Sequence, residues 1–347
     1  MNVFGNRLRV EIFGESHGPV VGVTLEGVPA GIPLCEEDFT ADIDRRRPGF
    51  VSAASGTAGL STGATTRREN DIPHISGGVC DGKTTGAPLT IQFTNDDVDD
   101  KAYETFAAVP RPGHADFTAG VRRGFLGNPR GGGQFSGRMT VALVAAGVVA
   151  KKILAGLRVQ APEEPGSEPK TVNISAELVE LGGLTDRDKW KAVLEEAAKE
   201  GDSLGGIVKC TANVPAGLGE PFWDSVESLL SHAIFAIPGV RGIEFGDGFK
   251  AAAMKGSEHN DPFGPDGLPA KNGSGGINGG ITNGAPIEFR VAFKPTSSIS
   301  KKQKTLNFKT GEMVDLSIKG RHDVCFALRT PVIVEAVTAI VLADLAL

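Results

Sequence analysis

Hydrophobic and polar residues alternate along several short segments of the chain and follow a helical period along several longer ones. The alternation is clearest at 286–294, where apolar residues take every second position from Ile287 to Phe293. The patterns predict strands at 20–26, 171–181, 205–214 and 286–294, and helices at about 36–47, 138–157, 186–200, 223–237 and 331–346. Long strands interleaved with long helices are typical of a layered mixed fold.

Two stretches, 141–157 and 331–347, are apolar enough to resemble membrane spans. Lys151 and Lys152 interrupt the first, Glu335 and Asp344 interrupt the second, and each charge opposes insertion by about 3 kcal/mol. We therefore expect both to be buried helices of a protein that is not in a membrane.

Low-complexity segments predict loops rather than domain linkers. Gly, Ser and Thr dominate 50–66, which predicts a mobile surface loop that could act as a lid. The Pro-rich segment at 160–170 predicts a solvated loop. Because no composition break divides the chain, we expect a single domain over 1–347.

Composition and charge restrict the classes of function. The 347 residues include 47 Gly, almost twice the usual share of about 7%. The formal net charge of −6 gives no overall attraction for nucleic acid or an anionic membrane, so any anion must be bound locally. The four cysteines form no Cys-x-x-Cys pair, and the first residues lack the apolar core of a signal peptide, which indicates a reduced, cytoplasmic protein.

Histidines are the first candidates for acid–base chemistry. His17, His114 and His322 each lie among glycines and polar residues, where an imidazole could approach a substrate closely. For each of them, capping a turn is an equal alternative. The sequence has no His-x-x-x-His or His-Glu-x-x-His pair, so we expect no metal site.

Arginines from distant segments, together with glycine-rich turns, are suited to binding a small anion. A guanidinium matches phosphate and carboxylate bidentately, although a surface ion pair is the alternative for each isolated arginine. The glycine-rich segment 130–138 precedes a predicted helix and could bind an anion there. It fails as a P-loop because Arg138-Met139 replaces Lys-Ser/Thr, and as a dinucleotide fingerprint because Ser136 takes the third glycine position. The turns at 275–281 and 294–298 could contact a second phosphate, or could simply be turns.

Several blocks of sequence resemble one known family. In chain order they are GESHGPVVGVTLEGVPAGIPL, DIDRRRPG, RPGHADFT, RGGGQFSGR, VAAGVVAKKIL, GSEHND, GGINGGITNG, FKPTSSIS and KGRHDVC with RTPVIVEA. Over about 5–347 the chain resembles the chorismate synthase family. The resemblance implies an α+β fold, the β-α-β sandwich, with helices layered between antiparallel sheets, and a homotetramer. It also implies a lyase that converts 5-enolpyruvylshikimate 3-phosphate into chorismate and phosphate by a 1,4-anti elimination that requires reduced FMN.

The resemblance also implies residue roles. His17 would help to supply a proton to the reduced flavin, His114 would protonate the departing phosphate, and Asp323 would help the flavin N5 to accept the substrate proton. The residues implied for substrate binding are Ser16, Arg46, Arg111, Arg138 and Arg321. Those implied for FMN are Gln134, Phe135, Ser136, Pro238, Gly239, Gly279, Lys294, Pro295, Thr296, Ser297, Ser298 and Arg321, and Arg46 would also contact reduced nicotinamide. A dianionic substrate would raise the pKa of His17 and His114.

The chain departs from the family pattern at some of these positions. Many relatives read RGGGRSSGRET, whereas this chain has Gln134, Phe135 and Met139, so the FMN contact there would be through the backbone. Ser52 replaces a usual arginine, which removes a second nicotinamide contact. Reduced FMN would then come either from NADPH on this protein or from a separate flavin reductase. The alternative functions are a catalytically lapsed flavin- or phosphate-binding relative and an unrelated phosphotransferase.

Overall fold

The computed structural model describes residues 2–48, 60, 65, 69–96, 105–124, 130–156, 158–159, 170–318, 320 and 322–347. The loops expected at 50–66 and 160–170 lie outside the described residues, apart from Leu60, Thr65 and the backbone of Lys170.

The strands form mainly two antiparallel sheets. In chain order they are β1 Val3–Phe4, β2 Arg9–Gly14, β3 Val20–Glu26, β4 His74–Gly77, β5 Val79–Cys80, β6 Lys83–Thr84, β7 Leu89–Thr94, β8 Arg158–Val159, β9 Lys170–Thr171, β10 Asn173–Leu181, β11 Gly206–Asn213, β12 Val240–Phe245, β13 Ile277–Asn278, β14 Ile281–Thr282, β15 Ile287–Phe293, β16 Gln303–Asn307 and β17 Glu312–Leu316. The first sheet has the order β1-β2-β3-β7-β4 and the second β10-β11-β15-β12. The remaining strands pair as hairpins or short ribbons.

The helices supply the layer between the sheets. They are α1 Thr40–Arg46, α2 Asp116–Arg123, α3 Thr140–Leu154, α4 Trp190–Glu200, α5 Val226–Ile234, α6 Gly256–His259 and α7 Pro331–Ala346. Helix α3 contacts β3 of the first sheet, α7 contacts β10 and β11 of the second, and the two helices contact each other. The expected sandwich, with helices between antiparallel sheets, is therefore confirmed.

The two central helices are buried on almost every side, which explains why their sequences are apolar all round. Where they cross, Gly147 of α3 lies against the backbone of Ala336 of α7; a Cβ on this glycine would lie 2.5 Å from the Ala336 Cα. Only glycine permits this close approach. Among the described residues, none of the helices combines the length and apolarity that a membrane crossing requires.

Glu335 is one of two buried acids that interrupt the apolar helix α7, the other being Asp344. Glu335 of α7 forms two bonds of 2.7 Å to Arg45 and accepts a bond from the Ala176 N–H at 2.9 Å. A buried charge is tolerated because such partners replace the water that it loses. Glu335 thereby links α7, α1 and β10.

The predicted elements are present, with some differences at their ends. Strand β3 and helix α7 have the predicted bounds, whereas α3 begins at Thr140, after a 3-10 turn over Gly137–Met139. Helix α5 begins at Val226 rather than at 223 because the Ser225 side chain caps it, accepting a bond of 3.1 Å from the Ser228 N–H. Helical periodicity does not distinguish such turns from the helix that follows.

Candidate active site

A cavity of about 740 Å³ lies among loops that the two sheets and the helix layer hold in place. Its walls come from 46–48, 69–71, 111–118, 134–138, 235–241, 294–298 and 322–329, together with Thr65. A volume of this size suits one or two ligands the size of cofactors or metabolites.

The cavity brings together most of the residues singled out in the sequence. Those that line it are His114, Asp323, Arg46, Arg111, Arg138, Gln134, Phe135, Ser136, Pro238, Gly239, Lys294, Pro295, Thr296, Ser297 and Ser298. Ser16, His17 and Gly279 are not among the lining residues, and Arg321 lies outside the described part of the chain. Gly279 occupies the β13–β14 hairpin, where a Cβ would meet no atom within 4 Å.

Ser16 and His17 are buried in the turn between β2 and β3, and hydrogen bonds tie this turn to the cavity wall. The Ser16 N–H donates to the Gly133 carbonyl at 3.2 Å. The Asn95 side-chain amide donates to the carbonyls of Glu15 and Gly18, at 3.0 and 2.7 Å. The Asn95 oxygen accepts from Arg138 Nε at 2.9 Å, so this asparagine, which the sequence did not single out, connects the His17 turn to a cavity arginine.

His114 is held by an acid two residues further along the chain. Its Nδ1 lies 2.6 Å from Oδ1 of Asp116, the first residue of α2. The same carboxylate receives two bonds of 2.7 Å from the Arg111 guanidinium and one of 3.0 Å from the Arg111 N–H. The Asp116 and Arg111 side chains are only 5% and 4% exposed. Arg111 Nη1 donates to Ser298 Oγ at 3.0 Å, which joins this cluster to the predicted FMN segment.

These contacts determine the direction of two pKa shifts. Burial acts to raise the pKa of Asp116, but the bonds from Arg111 and His114 outweigh it and hold that pKa well below its usual value. Burial lowers the pKa of His114, as do the charges of Arg111 and Lys294, whereas Asp116 opposes the shift. The expected rise in the His114 pKa concerns the complex with a dianion, whose charge would act in the same direction as Asp116.

Two of the predicted substrate arginines share one buried acid. Asp71 forms an ion pair with Arg46 at 3.0 Å and another with Arg138. Arg46 also donates from Nε to Thr140 Oγ1 at 3.0 Å, and Arg138 donates from Nη2 to the Thr94 carbonyl at 3.1 Å. Burial acts to raise the pKa of Asp71, but the two guanidiniums lower it overall. With two positive charges against one negative, the cluster still attracts an anion.

Asp323 is far from His114 in the sequence but lines the same cavity. Its Oδ1 accepts from the Thr65 N–H at 3.0 Å, and its Oδ2 accepts from Arg329 Nη2 at 2.8 Å. His322 beside it has a buried Nε2 for which the described structure provides no hydrogen-bond partner. Burial and the charge of Arg111 lower the pKa of His322, against the effect of Asp323. Asp323 therefore accepts two hydrogen bonds at the cavity, and the lowered pKa of His322 favours a neutral imidazole beside it.

The segment 294–298 combines a cation with hydroxyl groups. Lys294 Nζ donates to the Gly113 carbonyl at 2.7 Å and to Ser297 Oγ, and Ser297 Oγ donates to the same carbonyl at 2.8 Å. Burial lowers the pKa of Lys294, and so does the charge of Arg241. The Lys294 N–H bonds to the carbonyl of Gly239, whose φ of +90° favours glycine.

At 134–135, where the chain departs from the family pattern, both side chains contact an arginine that the sequence did not single out. Arg123 donates to the Gln134 side-chain oxygen at 2.5 Å, and its guanidinium lies 5.6 Å from the centre of the Phe135 ring. Gln134 and Phe135 thus make side-chain contacts of their own beside the cavity.

Comparison with known proteins identifies the family. A sequence model described as chorismate synthase matches residues 8–347. The chain belongs to the chorismate synthase family. A chorismate synthase of Chitinophaga pinensis is 51% identical, covering 99% of this chain and 96% of its own, and one of Korarchaeum cryptofilum is 44% identical with the same coverage. A crystal structure of chorismate synthase has a TM-score of 0.68 and 26% identity, and covers 99% of this chain and 92% of its own.

The predicted family, fold class and enzyme class are therefore confirmed. The protein is a chorismate synthase-family lyase that acts on phosphates, and the comparisons give no support to a lapsed relative. Sequence reasoning missed Asp71, Asn95, Asp116 and Arg123. Only Asp116 gave a signal, since it follows His114 by two residues in a block already singled out.

Proposed function

We propose that the cavity binds 5-enolpyruvylshikimate 3-phosphate beside reduced FMN and that the protein eliminates phosphate in a 1,4-anti sense to give chorismate. The observation that carries the proposal is that His114, Asp323 and the segment 294–298 line one cavity. An acid, an acceptor and an anion-binding cation thus face a shared space, as such an elimination needs.

The donor set of the cavity fits a flavin phosphate. Lys294 carries a cation, Ser297 and Ser298 carry hydroxyls, and Gly239 lines the same cavity. When bound, reduced FMN supplies the N5 nitrogen that accepts the substrate proton. We propose that Gln134, Phe135, Ser136, Pro238, Gly239, Lys294, Pro295, Thr296, Ser297 and Ser298 hold it, with Gly279 and Arg321 as further contacts.

His114 is proposed as the general acid for phosphate. With Nδ1 directed at Asp116, its Nε2 is the nitrogen left to face a ligand. As the carbon–oxygen bond breaks, negative charge grows on the bridging oxygen, so a proton on Nε2 stabilises the transition state more than the ground state. We expect the bound dianion to raise the pKa of His114, which favours the protonated ring that a general acid requires.

Other residues orient the substrate and the transferred protons. We propose that Asp323, fixed by Arg329, assists proton removal on the opposite face from phosphate, and that His17 donates a proton to the reduced flavin from its turn. We propose Arg46, Arg111 and Arg138, with Ser16 and Arg321, as the residues that attract the substrate phosphate and carboxylates.

The assembly and the supply of reductant extend the proposal. We propose a cytoplasmic homotetramer, which Phe222, Trp223, Phe249 and Phe263 support because each is at least 78% exposed and would be covered by neighbouring copies. Reduced FMN would come from NADPH, with Arg46 as its contact, or from a separate flavin reductase. Light scattering tests the assembly, and anaerobic mixing of NADPH with oxidised FMN and the protein tests the reductant by flavin bleaching.

A single assay tests the reaction itself. Purified protein, chemically reduced FMN and 5-enolpyruvylshikimate 3-phosphate are mixed anaerobically, and phosphate and chorismate are measured. We expect equal amounts of both products, and none with oxidised FMN. Absence of phosphate release with reduced FMN would contradict the proposal.

A further inference from the structure

We propose that Asp116 is a positioning residue that keeps a hydrogen on His114 Nδ1 and so presents Nε2 to the ligand in the cavity. The proposal rests on the proposed function only for the role of Nε2 as the proton donor to the leaving phosphate. The placement of the hydrogen is a property of the protein alone.

The contacts around Nδ1 permit one assignment. A neutral ring nitrogen either donates or accepts, and Nδ1 lies 2.6 Å from Asp116 Oδ1 but 3.0 Å from Arg111 Nη2. Arg111 Nη2 already donates to Asp116 Oδ1 at 2.7 Å, and a carboxylate can only accept. The short contact is therefore Nδ1–H to Asp116, and Nε2 holds the lone pair or the transferable proton.

Nε2 of His114 lies beside a glycine. A Cβ on Gly132 would lie 3.6 Å from both Nε2 and Cε1 of His114, and Gly132 has a φ of +81°. Gly132 therefore lies beside the Nε2 edge of the ring, and His114 itself lines the cavity. Rotation of the ring would remove Nδ1 from Asp116.

The charges that face His114 make Asp116 decisive for its protonation. Arg111 and Lys294 are cations, and among the charged groups that act on His114 in the described part of the chain, Asp116 supplies the negative charge. Without that charge, a buried imidazole would face two cations. Its pKa would then be lowered further.

A purely structural role for Asp116 is the alternative that the experiments must separate. Asp116 begins α2, and it pairs with the buried Arg111. Both features would stabilise the fold even if His114 had no function. The readouts therefore have to report on the His114 ring itself.

The direct test is nitrogen NMR of the full-length protein labelled in histidine. The His114 signal, identified by its loss in His114→Ala, is followed with pH in the wild type and in Asp116→Asn. We expect the Nδ1–H tautomer in the wild type, and in Asp116→Asn a mixed tautomer with a pKa lower by about one unit or more. An Nε2–H tautomer in the wild type would overturn the proposal even if the variant failed to fold.

Kinetics provide an independent test through a double-mutant cycle. In the phosphate-release assay we expect Asp116→Asn to lower kcat about 10-fold or more and to move the alkaline limb of its pH profile to lower pH. In a His114→Ala background the same change should have almost no further effect. An equal loss in both backgrounds would show that Asp116 acts through Arg111 or the fold instead.

A second Asp–His pair in the same chain is the matched control. Asp247 lies 3.1 Å from His259 Nδ1, and both side chains are about one-third exposed, outside the cavity. We expect Asp247→Asn to leave kcat and its pH profile unchanged. If wild-type protein releases no phosphate at all, the proposed function fails while the NMR test of Asp116 remains decisive.

Discussion

Asp71 and Arg46 form an ion pair of 3.0 Å in which the carboxylate side chain is 1% and the guanidinium side chain 3% exposed. The same carboxylate also pairs with Arg138 at the start of the 3-10 turn before α3. One acid therefore holds two cations from distant segments at the cavity wall. The negative charge of Asp71 compensates the buried charges of the two guanidiniums. Removing Asp71 would leave those buried charges uncompensated.

We expect Asp71→Asn to destabilise the protein by about 3 to 5 kcal/mol, because two buried guanidiniums lose their shared anion. Urea unfolding at fixed protein concentration and pH 7 measures the loss. Asp186→Asn is the control, since Asp186 is half-exposed, pairs with an exposed lysine, and accepts one bond from the Asp188 N–H that asparagine can also accept. An effect of Asp71→Asn as small as that of the control would contradict the structural role.

The deficit caused by Asp71→Asn should depend on pH. The folded-state pKa of Asp71 is lower than its ordinary value of 3.8, so the carboxylate stabilises the fold fully above that value. The stabilisation is lost as pH falls through the folded-state pKa. We therefore expect the gap between wild type and variant to be constant from pH 7 to pH 5 and to narrow below pH 3.8. A gap that widened towards acid would contradict this sign.

We expect His114→Ala to lower the kcat for phosphate release by about 100- to 10,000-fold, since a general acid is lost. FMN affinity should change only a few-fold, because the proposed partner of His114 is the leaving phosphate. Anaerobic phosphate release and flavin fluorescence titration measure the two quantities. His74→Ala is the control, since the His74 side chain is 65% exposed. An equal loss of FMN affinity would contradict the assignment.

The layered fold could be predicted because its signals are local. Period-two alternation marked β15, and a continuous apolar run with Pro at its first turn marked α7. The ends of α3 and α5 were less accurate because 3-10 turns and a serine cap precede them. Hydrophobic periodicity does not detect such turns, because they depend on hydrogen bonds at single positions.

The site could be predicted only in part, because its polar partners come from distant segments. His114 and Asp323 were named from the blocks that resemble the family, whereas Asp71 lies between two arginines that are 25 and 67 residues away. Ion pairing at that separation leaves no periodic or compositional trace. Asn95, which joins the His17 turn to Arg138, could not be predicted from the sequence for the same reason.

We expect Gly147→Ala to destabilise the protein by about 1 to 3 kcal/mol, because the added methyl would force α3 away from the backbone of Ala336. This is the net loss of stability, because the packing cost exceeds the gain of about 1 kcal/mol in helix propensity. Gly256→Ala is the matched control, since Gly256 begins the short helix α6, is exposed and has open space around it. Thermal unfolding of both variants measures the difference, and equal melting temperatures would contradict close packing at Gly147.

We expect Lys294→Met to weaken FMN binding by about 10- to 100-fold, which corresponds to the loss of one charge-assisted hydrogen bond. Methionine preserves the length and the apolar stem of the side chain, so the change isolates the ammonium group that contacts Gly113 and Ser297. Lys304→Met is the matched control, because Lys304 is 71% exposed and pairs with Asp315 on the β16–β17 hairpin. Fluorescence titration with FMN at two salt concentrations measures both variants. A partly buried cation whose pKa is lowered by burial gains strongly from an anionic neighbour, so unchanged affinity for Lys294→Met would place the flavin phosphate in another part of the cavity.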